Sequence, residues 1–412
     1  MIYDYLIIGG GITGISVARL LQLSGVEKIH VLEASTEPGG LCRTRQIGSH
    51  VLDVGGGHFL CTKFPEVYDF VFAHIPKSEF NYFNRVSKVE IGQHQVDYPL
   101  ENNIWQLPAK ECADYLISIA QNGEARGQPE PSHFDAWIRW KLGNRIAEDY
   151  MIPYNRKIWG VEASEMDIDW LHKIPRLDVR EIAMACLSRK ADPSAMPSHA
   201  GFYYPKRGGF QRIFDAILAP VSAYVECAAP VERIERSGDL LVVNGRHRAR
   251  RVINTAPWHA LASSPIFDAL TRADIARLRA NQIVVSLHEA PLSTDAHWLY
   301  QPDESLSHHR SFFIHNFAPH SAREGVYRET NHRRWQSGVG ELYFENNHYA
   351  YPIPTLGWAN AIDRVLAQAL RHEVYGVGRW GQWQYLNSDV CIHEAMKLVS
   401  RLGHIVSSVP RV

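Results

Sequence analysis

The sequence has few cysteines, no long apolar run and almost no net charge. Its six cysteines are scattered without Cys-x-x-Cys spacing, a distribution that favours reduced thiols in the cytoplasm over a disulfide framework or a zinc site. No segment reaches the about 18 uninterrupted apolar residues of a membrane span, and no basic segment precedes the first apolar residues, as it does in a signal peptide. A formal net charge of -1 excludes a field that would attract nucleic acid or an anionic membrane.

The beginning of the chain carries the clearest pattern. An apolar run at 3–8 predicts a strand, and an apolar helical spacing follows the glycine-rich stretch at 9–14. A second apolar run at 29–32 completes a strand–helix–strand unit, whose two strands are parallel. At 412 residues the chain is too long for one simple core. We therefore predict an α/β protein with two or more interleaved domains.

The glycine-rich stretch has the spacing Gly-x-Gly-x-x-Gly at Gly9, Gly11 and Gly14. In this context the glycines permit a tight turn, close approach of the backbone to a pyrophosphate, and helix–strand packing. Glu33 follows the second strand, where a carboxylate accepts hydrogen bonds from ribose hydroxyls. Together these residues predict a dinucleotide site; a glycine turn without a ligand and an NAD site are the alternatives.

The next segment distinguishes between the two dinucleotides. The run Pro38-Gly39-Gly40-Leu41-Cys42-Arg43-Thr44 resembles the extended signature of the FAD superfamily that contains the amine oxidases and UDP-galactopyranose mutases. The resemblance implies FAD, with Gly39 and Gly40 close to the pyrophosphate or flavin. Arg43 can donate a charge-assisted hydrogen bond to phosphate or to a flavin carbonyl, or it can be a surface charge.

Later parts of that signature recur in the expected order at 53–58, at Val231 and at 378–381. The resemblance implies that the Val231 backbone meets adenine, that Arg379 lies near the pyrophosphate or ribityl chain, and that Asp389 begins a helix under the flavin. His58 would contact the flavin face; a core histidine bonded to the backbone is the alternative.

These assignments lead to a domain prediction. Residues 1–75, 200–265 and 370–412 would form a Rossmann-type FAD-binding domain. Residues 76–199 would form a mostly helical insertion, and residues 266–369 a mixed β-sheet domain that binds substrate.

Three further motifs resemble those of the UDP-galactopyranose mutases, so that the resemblance covers nearly the whole chain. They lie at 98–104, 151–159 and 298–310. The resemblance implies an isomerase of cell-surface polysaccharide biosynthesis that interconverts pyranose and furanose forms of a nucleotide-diphosphate hexose through N5 of reduced FAD. It also implies an external reductant such as NAD(P)H or a reductase, and a homodimer.

The same resemblance assigns residues to the reaction site. A catalytic group comprises His58, Tyr300, Arg310 and Tyr385. A substrate-binding group comprises Tyr98, Tyr154, Asn155, Trp159, Tyr300, Arg310, Tyr351, Tyr385 and Asn387. No metal is expected. Each aromatic residue taken singly is more often a core residue with a satisfied polar tip.

Two departures from the mutase pattern leave other functions open. A second arginine is missing after Trp170-Leu171, where Lys173 or Arg176 could replace it only by a shift. Glu101 stands where the mutases have glutamine beside the base, and an ionised carboxylate accepts hydrogen bonds but donates none. The alternatives are an FAD-dependent oxidase or desaturase of the amine oxidase and protoporphyrinogen oxidase type, and a flavin-bearing protein without catalysis.

Overall fold

The computed structural model describes residues 1–171, 178–190, 200–290, 294–338 and 340–405. Its strands are β1 (Ile2–Ile8), β2 (Ile29–Leu32), β3 (Thr44–Ile47), β4 (His50–Asp53), β5 (Phe80–Asn84), β6 (Ser87–Ile91), β7 (His94–Asp97), β8 (Gly201–Pro205), β9 (Val225–Glu226), β10 (Ile234–Ser237), β11 (Leu240–Val243), β12 (His247–Asn254), β13 (Arg279–Glu289), β14 (Trp298–Tyr300), β15 (Arg310–Phe312), β16 (Gly325–Asn331), β17 (Glu341–Ile353) and β18 (Val374–Gly376).

The α-helices are α1 (Ile12–Leu23), α2 (Pro65–His74), α3 (Leu100–Asn103), α4 (Ala109–Ala120), α5 (Phe134–Leu142), α6 (Asn144–Ile146), α7 (Ile152–Trp159), α8 (Val179–Ser188), α9 (Gln211–Leu218), α10 (Ala269–Arg277), α11 (Trp358–Leu370), α12 (Gly378–Gly381) and α13 (Ser388–Arg401). A π-helical turn, Ala147–Met151, joins α6 to α7. None of the described helices is long and apolar enough to cross a bilayer.

The first sheet is formed by strands from distant parts of the chain. β1 lies at its centre, parallel to β2 on one side and to β12 on the other, and the order is β10-β11-β12-β1-β2-β9, with β18 also pairing with β12. The last four residues of β1, 5–8, are buried on both faces, as is typical of a parallel sheet covered by helices. Helix α13, from the end of the chain, packs against α1.

The second sheet is mostly antiparallel and has the order β17-β13-β16-β15-β14-β6-β7. β13 is its longest central strand and pairs with both β16 and β17. One hydrophobic core includes residues of both sheets, among them Ile7 of the first and Val285 of the second. The two sheets and the helices around them are therefore held together by shared apolar burial.

The predicted fold class is confirmed: a Rossmann-type parallel sheet is combined with helices inserted between its strands and with a mixed second sheet. Two details differ. The region predicted as mostly helical also contributes β6 and β7 to the second sheet. The residue pattern at 311–316 favours a strand throughout, but the chain is extended only to Phe312 and then forms a 3-10 turn at Ile314–Asn316. The domain boundaries stay a prediction.

Candidate active site

The glycine loop between β1 and α1 has a conformation that only small residues permit. Gly9 has a φ of 101°, in the region that favours glycine. A Cβ on Gly14 would lie 2.0 Å from the Gly9 carbonyl oxygen, whereas a Cβ on Gly11 would meet nothing within 4 Å. Gly9 and Gly14 are therefore required by the turn itself, and Gly11 borders open space at the start of α1, where helix N–H groups favour an anion.

Glu33 lies directly after β2 and is tied to this loop. One carboxylate oxygen, Oε2, accepts a hydrogen bond from the Gly10 backbone N–H at 2.7 Å, and Oε1 accepts one from the Ser35 backbone N–H at 2.8 Å. Each oxygen retains a further lone pair. The loop and the carboxylate together fit the pyrophosphate and ribose of a dinucleotide.

Gly39 and Gly40 lie against the same loop. Their φ values are 125° and 52°, and a Cβ on Gly40 would lie 3.7 Å from the Gly11 Cα. The Arg43 guanidinium donates to the Gly40 carbonyl at 2.9 Å and to the carboxylates of Glu37 at 2.8 Å and Glu345 at 3.1 Å. Arg43 thus braces this segment through two carboxylates, an arrangement not anticipated from the sequence.

The remaining predicted cofactor residues lie on three other segments. Val231 is buried in the connection before β10, where the Ala229 backbone N–H donates to the Glu33 carbonyl at 2.9 Å. Arg379 lies in α12, and Asp389 is buried in the first turn of α13, which follows its N-cap residue Asn387. The Arg379 guanidinium donates to the carbonyls of Leu386 and Ala350, so backbone acceptors hold its side chain.

His58 is a half-buried histidine that follows β4. Its ring stacks on Phe210 with centroids 5.2 Å apart, and its Nδ1 has no partner among the described residues. Burial, together with the nearby Arg379 guanidinium, lowers the pKa of His58 to about 4. The imidazole is therefore neutral near pH 7 and presents an unpaired polar atom.

Seven of the predicted substrate residues form one aromatic and cationic cluster. Tyr98 and Tyr154 lie 5.2 and 5.6 Å from Tyr300, centroid to centroid. Trp159 lies 5.8 Å from Tyr351 and 5.9 Å from Tyr385. These two groups meet at Arg310, whose charge acts on Tyr154, Tyr351 and Tyr385.

Arg310 is locked to a carboxylate that sequence reasoning missed. Its guanidinium donates to both oxygens of Glu329, at 2.6 and 2.7 Å through Nη2. Burial raises the pKa of Glu329, but Arg310 and the neighbouring His309 outweigh that effect and lower the pKa to about 2. Burial likewise disfavours the Arg310 cation, but Glu329 raises the pKa of Arg310 well above its usual value. The two side chains form an ion pair in which Glu329 is fully buried and Arg310 is 19% exposed.

Arg85 is a second cation at the cluster that was not anticipated. Its Nη2 donates to the Tyr300 hydroxyl at 2.6 Å, its Nε donates to Ser87, and the guanidinium lies 5.2 Å from the Trp298 ring. No carboxylate of the described residues lies within 4.0 Å of it. Arg85 lies just before β6, in the region that was predicted to be mostly helical, and the pairing of β6 with β14 brings it to the cluster.

The two departures from the mutase pattern differ in what the structure says of them. Lys173 and Arg176 lie outside the described residues. Glu101 is buried in the first turn of α3, and burial raises its pKa to about 7. A protonated carboxyl donates as well as accepts, as the glutamine of the pattern does.

The side chain of Asn155 forms hydrogen bonds within and next to α7. Its amide donates to the Met151 carbonyl at 2.7 Å, and its oxygen accepts from the Trp159 indole at 2.9 Å.

Comparison with known proteins agrees with this geometry. Residues 7–73 match the model of the NAD(P)-binding Rossmann-like domain. The chain is 24% identical to a probable UDP-galactopyranose mutase of Klebsiella pneumoniae over 96% of its length and 93% of that protein. It is 23% identical to dTDP-fucopyranose mutase of Escherichia coli, over 41% of its length and 45% of that protein.

Among solved structures, reduced UDP-galactopyranose mutase superposes with a TM-score of 0.86 at 21% identity, over 100% of this chain and 96% of that one. A putative protoporphyrinogen oxidase from Exiguobacterium superposes with a TM-score of 0.71 at 14% identity, over 97% and 98% of the two chains. Fold and sequence therefore confirm the predicted resemblance: the chain is similar to UDP-galactopyranose mutase over nearly its whole length and shares the fold of these two solved structures.

Proposed function

We propose that the protein binds FAD and interconverts the pyranose and furanose forms of a nucleotide-diphosphate sugar. The observation that carries this proposal is the convergence of Tyr154, Tyr300, Tyr351 and Tyr385 on one half-buried guanidinium, that of Arg310. A site for an apolar or amine substrate needs aromatic walls but no such cation. Phenols and guanidinium groups are hydrogen-bond donors suited to phosphoryl oxygens.

Bound FAD, in its reduced form, would supply the nucleophilic N5 that such an isomerisation requires. The residues that fit it are Gly9, Gly11, Gly14, Glu33, Gly39, Gly40 and Arg43 near the phosphates, and Val231, Arg379 and Asp389 along the rest of the molecule. We assign neutral His58 to the sugar and flavin side of the site, where its unpaired Nδ1 can accept or donate one hydrogen bond.

The protein's own part in the reaction is to orient the sugar and to stabilise the departing diphosphate. The phenols of Tyr300, Tyr351 and Tyr385 would donate to the phosphoryl oxygens without adding charge. Glu329 neutralises much of the Arg310 charge, whereas Arg85 has no such partner among the described carboxylates. Tyr98, Trp159, Asn155 and Asn387 would complete the nucleotide side of the site.

The discriminating experiment compares dithionite-reduced with oxidised protein in the presence of UDP-galactofuranose and dTDP-fucofuranose. A mutase forms the pyranose isomer only after reduction, with no net change in the redox state of the solution. Oxygen consumption with an amine or a porphyrinogen, and no isomer of either nucleotide sugar, would instead identify an oxidase. A yellow protein inactive in both assays would be a flavin carrier.

We also propose a domain organisation, a reductant and a cellular setting for this activity. We assign residues 1–75, 200–265 and 370–412 to the FAD domain, 76–199 to the insertion and 266–369 to the substrate domain. The site also requires an external reductant, NAD(P)H or a reductase, in a reducing compartment such as the cytoplasm. All six cysteines are free thiols in the structure. A homodimer and a place in cell-surface polysaccharide biosynthesis belong to the same proposal.

A further inference from the structure

A group of side chains that can act as metal ligands lies on the first sheet, apart from the candidate active site. His30 of β2, Glu226 of β9 and His247 of β12 each offer one ligand atom, and these atoms all lie within 4.8 Å of one another. The residues are 196 and 21 positions apart along the chain, so no sequence spacing reveals them. The parallel strands bring them together.

The geometry of this group resembles an incomplete tetrahedral metal site. Glu226 Oε2 lies 2.9 Å from His30 Nε2 and 3.9 Å from His247 Nε2. Metal–ligand distances of about 2.0–2.2 Å in a tetrahedral site place the ligand atoms about 3.3–3.6 Å apart. Small side-chain rotations are therefore enough to bring the three atoms around an ion.

Neighbouring side chains already hold two of the ligands in place. The Tyr3 ring stacks on His30 with centroids 4.7 Å apart and planes inclined by 6°. Arg246 donates to Glu226 Oε1 at 2.5 Å, which leaves Oε2 directed at the two imidazoles. Hydrogen-bonded carboxylates and oriented rings are the usual outer shell of a metal site.

We propose that His30, Glu226 and His247 bind one divalent transition-metal ion, of the Zn²⁺, Co²⁺ or Ni²⁺ class. Two imidazole nitrogens and one carboxylate oxygen suit these ions, whereas Mg²⁺ and Ca²⁺ require oxygen ligands throughout. The Glu226 side chain is 37% exposed, so water completes the coordination. Arg246 also donates to His247 Nε2 at 2.6 Å, and this bond has to break when the ion enters.

Such an ion would stabilise β9, which lies at one edge of the first sheet. β9 pairs with β2 through only two residue pairs, Val31 with Val225 and Leu32 with Glu226. The Glu226 carbonyl also accepts the Glu33 backbone N–H at 2.9 Å. Cross-linking β2, β9 and β12 would therefore stabilise the short strand that precedes Val231, independently of any reaction at the flavin.

The test is a calorimetric titration of untagged, EDTA-treated protein with Zn²⁺, and with Mg²⁺ as the negative control. We expect one equivalent of Zn²⁺ to bind and to raise the melting temperature. Because loss of an outer-shell partner alone weakens metal affinity about 10- to 100-fold, His30→Ala and His247→Ala should each lose at least that much. His332→Ala, at an exposed histidine outside the group, should bind as the wild type does.

Arg246→Gln supplies a test that removes no ligand. The glutamine amide can still donate to Glu226 Oε1, but the positive charge next to the ion and the bond to His247 Nε2 are lost. Zn²⁺ binding should therefore tighten about fivefold or more, and equal or weaker binding would contradict the assignment. Zn²⁺ affinity that is unchanged in both ligand variants would show adventitious surface binding and overturn the proposal, as would the absence of any binding to the wild type. Flavin content and mutase turnover, measured in parallel, report on the active site separately.

Discussion

At the scale of single residues, the site depends on cross-strand register. Tyr300 and Arg310 are direct partners in the β14–β15 pair, and Arg310 is in turn opposite Glu329 in β16. The first relation was predictable because both residues belong to one sequence motif. Glu329 comes from a later strand with no motif of its own, so only the register identifies it as the counter-ion.

The Arg310–Glu329 pair predicts a large loss of stability when it is broken on one side. Arg310→Ala leaves a buried carboxylate without its partner, and breaking a buried pair in this way costs about 3–5 kcal/mol of unfolding free energy. The double variant Arg310→Ala/Glu329→Gln should recover much of that loss. Urea denaturation of the three proteins measures the effect; a single variant as stable as the wild type would show that the pair is not buried in solution.

The Glu329→Gln variant also allows a test of Arg310 in substrate binding, because it removes the buried carboxylate that Arg310→Ala would leave unpaired. Relative to Glu329→Gln alone, the double variant should bind UDP-galactose more weakly by about 2 kcal/mol or more, because a charge-assisted contact to phosphate is lost. FAD content should stay equal in the two proteins. Equal sugar affinity, measured by titration calorimetry, would remove Arg310 from the diphosphate site.

Glu101 predicts a dependence of stability on pH that is opposite to that of most carboxylates. Its pKa is raised by burial from 4.5 to about 7, so the folded protein keeps the proton while the unfolded chain loses it. The free energy of unfolding should therefore fall as pH rises from about 4.5 to 7 and stay constant above, by a total on the order of 3 kcal/mol. Below about 4.5 both states are protonated, so this stability is fully present and does not change with pH.

Glu101→Gln removes this titration and is the control. The difference in unfolding free energy between the variant and the wild type should grow through that pH window in favour of the variant and then level off. Denaturation curves at four pH values are sufficient to measure it. A difference that is the same at pH 4.5 and pH 7.5 would mean that the pKa of Glu101 is not raised in the native state.

At the scale of secondary-structure elements, the β1–α1 loop was predictable to the residue because three glycines perform separable steric tasks. Strands β6 and β7 were not. Their short sequences lie between helices. Ser87–Ile91 alternates buried and half-buried positions, but so short a pattern does not identify a strand until its pairing with β14 is known. Pairing between distant strands decided their structure, and local sequence does not encode it.

The loop glycines give a matched pair of predictions. Gly11→Val places its side chain in open space, so the apoprotein should fold but lack the visible flavin spectrum, because the branch occupies the path of the pyrophosphate. Gly14→Val collides with the Gly9 carbonyl and should destabilise the fold itself. Gly338→Val, at another open glycine, is the control and should be yellow and stable. A yellow Gly11→Val protein would overturn the loop assignment.

At the scale of the whole molecule, the proposed FAD site is assembled from segments that are far apart in sequence. The loop after β1, the connection around Val231 and the start of α13 all contribute to it. Adding FAD to apoprotein should therefore slow amide hydrogen exchange in all three segments together, with a stabilisation of about 2.7 kcal/mol at a ligand concentration of 100 times Kd. Protection confined to the β1 loop would contradict the assignment of Val231 and Asp389.

The pairing of β1 with β12 also determines when the first sheet can form during translation. Tyr5 lies opposite Arg251 in β12, so the first strand emerges from the ribosome long before one of its two neighbours exists. At about 5–20 residues per second, translation leaves that edge of β1 open for roughly 12–50 s. During this interval an apolar strand with free N–H and carbonyl groups can pair with another nascent chain, so we expect a chaperone that covers the first strand to raise the yield of folded protein.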